Sequence, residues 1–152
     1  MNPTPFVIAC LLAVAPAAAQ DAAKKPEGDL GKLQGRWKAM IGPEKNIPVV
    51  ATIEGRKITV KITPPEASQA YEMQGELKLD DKASPPTVDW VGFRTPNGDE
   101  AEINRGIYKF SASGDRWTIC NGGPGNPRPA EFKQGENGPP NIIEFDRVKP
   151  GE

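Results

Sequence analysis

The feature that most constrains this chain is a two-residue alternation that returns many times and is cut each time by glycine or proline. Ile58, Val60 and Ile62 alternate with Lys57, Thr59 and Lys61, and Pro64-Pro65 stops the run. Tyr71, Met73, Leu77 and Leu79 alternate with Glu72, Gln74, Glu76 and Lys78. Successive side chains of a strand point to opposite faces, so this period predicts strands with one buried face. No stretch carries an apolar stripe at helical spacing over a useful length. With 16 glycines and 17 prolines in 152 residues, the composition suits short strands joined by tight turns.

The densest block runs from Gly106 to Phe132. Tyr108 and Phe110 share one face of a strand, Ser113-Gly114-Asp115 has turn chemistry, and Trp117 and Ile119 share a face of the next strand. The segment Asn121 to Pro129 reads as a rigid loop, with a short strand expected at Ala130-Glu131-Phe132. It is no phosphate cradle: Pro124, Pro127 and Pro129 remove N–H donors, and no helix follows.

Earlier in the chain, Asp29 is expected as the N-cap of a short helix through Leu30, Lys32 and Leu33. A first strand from Arg36 to Ile41 turns Trp37, Ala39 and Ile41 one way, and a second spans Val49 to Glu54. Gly75 interrupts an apolar face and predicts a bulge or bend. Val88 and Trp90 form a further short strand, Pro96-Asn97-Gly98-Asp99 a turn, and Asn141 to Val148 the closing strand. Eight or nine short antiparallel strands, each with one buried face, predict a closed up-and-down barrel or a sandwich.

Residues 1–19 carry no charged side chain; an apolar run from Phe6 to Ala15 is followed by Ala17-Ala18-Ala19. That pattern is a secretory signal with an A-x-A cleavage site, and the run is too short for a membrane span. The segment departs from the usual pattern in lacking Lys or Arg near Met1. Val7-Ile8-Ala9-Cys10 loosely resembles a lipobox, but the apolar run continues past Cys10, so export without a lipid is expected. The mature protein is then expected to begin near Gln20 and to be periplasmic or extracellular, with a linker over 20–28 and one domain over 29–149. After cleavage Cys120 is the only cysteine left, so no internal disulfide is expected. It has no His and no helix N-terminus to activate it, and is expected as apolar filler or on the outer face of the sheet.

The formal net charge of -1 is not the basic footprint of a nucleic-acid binder. The chain contains no His, which excludes His-based triads and His-ligated zinc. Asp80-Asp81, Asp99-Glu100 and Glu131 supply carboxylates, but none stands beside a second catalytic type or in a calcium-loop spacing. No enzyme activity, cofactor or metal is expected.

Asp29-Leu30, Lys32-Leu33-Gln34-Gly35-Arg36-Trp37, the Gly106-Ile107-Tyr108 and Gly114 to Cys120 blocks, and Pro124-Gly125-Asn126-Pro127-Arg128-Pro129-Ala130-Glu131-Phe132 together resemble one family. That family is an uncharacterised lipocalin-like domain expanded in planctomycete bacteria. The resemblance spans Asp29 to about Val148, and its most specific part is the P-G-x-P-R-P-x-x-F block. Gly31 departs from it, standing where a polar helix former is usual, as does Trp117, standing where a leucine is usual. The resemblance implies an all-β, antiparallel up-and-down lipocalin-like β-barrel with a short N-terminal helix, whose interior is a small calyx. It implies no catalytic residue.

Two roles follow as expectations. One is a structural or protein-interaction module of the cell envelope, with Arg128 on its stiff loop as a recognition point. The other is a carrier of a small apolar ligand, lined by Trp37, Tyr71, Trp90, Tyr108 and Trp117. The rival reading of each feature is plainer. The rings fill the barrel, leaving at most weak binding of apolar probes, and Arg128 packs over the rim and bonds carbonyls.

Overall fold

The computed structural model describes residues 26–152 apart from 68 and 96. The expected signal segment, Cys10, most of the linker and Pro96 of the expected turn lie outside the described residues. A short helix, α1 (Gly28–Leu33), precedes eight strands: β1 (Gly35–Ile41), β2 (Ile47–Glu54), β3 (Lys57–Ile62), β4 (Tyr71–Asp80), β5 (Thr87–Val91), β6 (Asn104–Phe110), β7 (Arg116–Pro124) and β8 (Asn141–Arg147). Each strand pairs antiparallel with the next, and β8 returns to β1, closing an up-and-down barrel. Of the two architectures that alternation allows, the chain adopts the barrel. Among the described residues no helix is long and apolar enough to cross a membrane.

The shortest register in the barrel is the one that closes it. β1 is in register with β2 from Gly35–Ile53 to Ile41–Ile47. Against β8 its register covers only Trp37–Arg147 and Lys38–Asp146, extended by the Val148 N–H donating to the Arg36 carbonyl at 2.9 Å. Beyond Lys38 the two strands diverge toward the end of the barrel formed by the β1–β2, β3–β4, β5–β6 and β7–β8 connections.

The inward faces follow the alternation. Trp37, Ala39, Val49, Ala51, Ile53, Ile58, Val60, Leu77, Val88, Tyr108, Trp117, Ile119 and Phe145 are buried in one core. β6 and β7 are the exceptions to one-sided burial: Ile107 on the outer face of β6, and Thr118 and Cys120 on that of β7, are buried too. The chain after Pro124 folds back over that face, and the Cys120 Sγ lies 3.6 Å from the Glu131 carbonyl oxygen and 3.7 Å from that of Lys133. No strand forms at Ala130–Phe132; bends occupy it. Those residues cover a sheet whose own hydrogen bonds are already taken by β6 and β8.

Two further expectations are corrected. The β3–β4 register runs unbroken through Ile58–Gly75, so Gly75 marks no bulge. A Cβ there would collide with the ring of Phe93, and glycine is needed for that close approach. The bulge lies instead in β7. Asn104 and Gly106 of β6 face Pro124 and Asn121, so β7 holds one extra residue, with Gly123 at φ +89° absorbing the turn. The expected loop therefore starts after Pro124, and Asn121 to Pro124 are strand.

Candidate functional site

One end of the barrel is plugged by α1. A six-residue helix has no stability of its own, and its ends are satisfied from elsewhere. Asp29 is not its N-cap; it lies in the first turn, and Glu27 at the cap position makes no side-chain cap bond. Asp81, in the β4–β5 turn, accepts from the Asp29 N–H at 3.4 Å. At the other end the free carbonyls of the last turn are taken one by one. The Gln34 side-chain amide donates to Leu30 O at 2.8 Å, the Arg147 guanidinium to Lys32 O and Gln34 O at 2.6 and 3.1 Å, and the Trp37 indole to Leu33 O at 2.7 Å. Gln34 also accepts from Gly55 N–H at 2.7 Å, tying the plug to the β2–β3 turn. Gly31 faces the Pro26 carbonyl at a distance no Cβ allows.

Above the plug stands a column of rings. Trp37 meets Trp117 edge-on, with centroids 6.1 Å apart, and Phe110 at 6.4 Å. Tyr108 meets Phe110 edge-on at 5.8 Å. Trp117 is stacked on Trp90 at 6.1 Å and on Phe145 at 5.3 Å, and Trp90 continues to Phe93 at 5.7 Å. Such offset and edge-on pairs add to the stabilisation from burial alone. The Tyr108 hydroxyl donates to Asp29 Oδ2 at 2.8 Å, and burial together with that carboxylate pushes its pKa above the ordinary tyrosine range. Arg147 lies over the Trp37 ring at 4.2 Å.

The column stops short of the other end. There the barrel opens into a cavity of about 330 Å³, with walls that include Val60, Met73, Trp90, Phe93 and Phe145. That volume is at the small end of ligand sites, which run from about 300 to 1,000 Å³ and combine apolar walls with a few placed polar groups. Trp90 Nε1, Thr95 Oγ1, Trp117 Nε1 and Asn121 Oδ1 are buried without a hydrogen-bond partner; Trp90, Thr95 and Asn121 border the cavity, but these atoms themselves present no surface to it. Asn121 is 6 % exposed. It shares the inner face with Trp117 and Ile119, and its carboxamide oxygen fills the room that Gly106 leaves by having no Cβ. Charge is confined to the mouth, where Arg94 and Glu102 are exposed. The Arg94 guanidinium donates to Gly98 O at 2.9 Å.

The expected site residues therefore separate. Trp37, Tyr108 and Trp117 are fully buried in the filled part, and Trp90 alone of the five rings forms the cavity wall. Tyr71 has inward parity but stands past the rim, 46 % exposed, beside Ile103 on an outer groove. Arg128 is on the outer face, where it donates to Gly106 O at 2.7 Å and pairs with Asp89 at 2.8 Å. It clamps the covering loop to β5 and β6. Asp80, Asp81, Asp99, Glu100 and Glu131 are all exposed; Asp80 ends β4 and Asp81 follows it, Asp99 and Glu100 lie in the β5–β6 connection, and Glu131 lies in the β7–β8 connection.

Asn121, Thr95 and Phe93 are the site residues that sequence reasoning missed. Carrying the parity of Trp117 and Ile119 two residues further places Asn121 inward; the run of glycine and proline after it masks the strand. Thr95 and Phe93 follow β5 in an irregular connection, where no period exists to read. Compared with protein-family models, with curated proteins and with solved structures, the chain has no match.

Proposed function

We propose that this protein is a binding module: an exported, lipocalin-like barrel that carries one small, mainly apolar molecule in its open end. The observation that carries this reading is the apolar cavity left above the aromatic column. The cavity floor is formed by rings and aliphatic side chains, so the reading involves no catalytic step. Export is supported by the pattern of residues 1–19, and the intact mass of the exported form is expected to correspond to a start at Gln20 without a lipid; a mass matching an acylated Cys10 start overturns that part.

Tryptophan emission tests the binding itself, because Trp90 is in the wall. Titration with naphthalene is expected to give a saturable change at one equivalent. Val60→Phe, which fills the cavity, is expected to abolish it while the far-ultraviolet spectrum stays that of the folded barrel. Unsaturable binding, or binding that Val60→Phe leaves intact, rejects the reading.

The envelope-interaction reading has its own observation: Tyr71 and Ile103, both exposed, line the same outer groove. Under that reading a Tyr71→Ser, Ile103→Ser double variant loses its envelope association and keeps its naphthalene titration. Association unchanged in that variant removes the rim from consideration.

A further inference from the structure

β4 outruns its neighbour. It holds ten residues and β5 five, and the register between them ends at Glu76–Val91. On its other side β4 stays paired with β3 as far as Ile62–Tyr71. From Tyr71 to Gly75, therefore, β4 is an edge strand within a closed barrel. The Leu77 N–H donates to Arg56 O at 2.8 Å, toward β3. Backbone direction alternates along an antiparallel strand, so the N–H and C=O groups of Glu72 and Gln74 point away from β3. No strand register or turn bond reaches them among the described residues. Beyond Val91 the chain swings off: Gly92 is at φ +68°, and the Phe93 ring lies over Gly75. The room this leaves is a groove of about 920 Å³ along the edge, bordered by Tyr71, Glu72, Gln74, Arg94, Glu100 and Ile103.

An unpaired edge beside open space is a template for a further strand, and the side chains of this edge fit its own copy. Antiparallel pairing about a two-fold axis at Met73 sets Glu72 opposite the second copy's Gln74, and Gln74 opposite its Glu72. In both pairs the free N–H and C=O groups exchange bonds, and a carboxylate meets a carboxamide. Lys61, in register with Glu72 on the β3 side, balances that carboxylate. The same axis sets exposed Tyr71 opposite the second copy's Gly75, beside the Phe93 ring that lies there. Moved to Glu72 or to Gln74, the axis would oppose two carboxylates, Glu72 with Glu72 or Glu72 with Glu76, which is unfavourable. We propose that this edge docks a second copy of the chain, β4 to β4 about Met73, as a symmetric dimer whose sheet runs through both barrels. The dimer does not depend on what the cavity holds. Its contact is short, so it is weak and exchanges with monomer.

Sedimentation velocity over a rising concentration series tests it, and the mass is expected to climb toward that of a dimer. Gln74→Pro removes an edge N–H that no ladder bond of the barrel uses. That variant is expected to stay monomeric at every concentration and to keep the far-ultraviolet spectrum of the parent. If it does not fold, Gln74→Glu and Gln74→Lys carry the test. Facing Glu72 across the axis, the first is expected to weaken association about threefold or more and the second to strengthen it. Met73→Cys reads the register: its sulfurs meet across the axis at a separation a disulfide can span, so oxidation is expected to link two chains through position 73. Dimer formation unchanged in Gln74→Pro places the contact elsewhere and overturns the proposal. So do equal shifts in the Glu and Lys variants, or a dimer whose position 73 stays unlinked. A monomer at every concentration overturns it too, and leaves the edge to an extended segment of another protein.

Discussion

Trp37 joins helix to barrel in two ways, by its buried rings and by its indole N–H on Leu33 O. Trp37→Ala is expected to cost about 3–5 kcal/mol, as for other large aromatic truncations in a core, measured by denaturant unfolding. Trp37→Phe keeps most of the ring contact and leaves a helix-end carbonyl unpaired, a loss of about 1–3 kcal/mol; equal stability for Trp37→Phe and the parent shows that solvent reaches Leu33 O. Tyr108 gives a pH signature. Its folded-state pKa is raised by burial and by Asp29, while the unfolded chain releases that proton near pH 10. The contribution is therefore complete below about pH 10 and is lost as pH rises above it. Unfolding midpoints are expected to fall above that pH, and to fall less steeply in Tyr108→Phe; parallel curves for the two proteins show that other groups dominate. Cys120 is held under the covering loop, and burial raises its pKa. Its peptide is expected to remain unmodified by iodoacetamide in the native protein and to react fully once unfolded; rapid native labelling means that the loop lifts.

At the scale of elements, one contact in the covering loop after β7 and one in the β4–β5 half of the wall can be tested separately. Arg128 bridges that loop to Asp89 and to the Gly106 carbonyl. Arg128→Ala removes a charged hydrogen bond to a carbonyl and leaves Asp89 without its partner, so a loss of about 1–3 kcal/mol is expected, together with faster Cys120 alkylation. Stability lost without faster alkylation separates the clamp from the cover. Gly75 lets the Phe93 ring lie on β4. Gly75→Ala has no such room, and the ring's free direction is into the cavity. That variant is expected to weaken naphthalene binding more than it lowers the unfolding midpoint; unchanged binding shows that Phe93 turns outward instead.

For the whole molecule, the barrel is weakest where its first and last strands meet. Amides of Ala39 to Ile41 that point away from β2 have no partner strand in register, so they are expected to exchange hydrogen well before those of Val49 to Ile53, which lie between two paired neighbours. Equal protection means that the seam is closed by bonds outside the strand register. Much of this architecture was legible in the chain itself. Period-two runs at Trp37 to Ile41, Ile58 to Ile62 and Tyr108 to Ile119 decided strand, face and core, because alternation across a strand needs only the local backbone. The Leu33-Gln34-Gly35-Arg36-Trp37 motif marked the plug. Other features depended on distant partners, which no local pattern encodes. Asp81 accepts from the Asp29 N–H in the first turn of α1, Phe93 explains Gly75, and Arg128 finds Asp89 across the outer face. The cavity belongs with these. Its volume is what remains after rings from β1, β5, β6, β7 and β8 have packed in three dimensions, and Asn121 fits at its border because Gly106 has no Cβ.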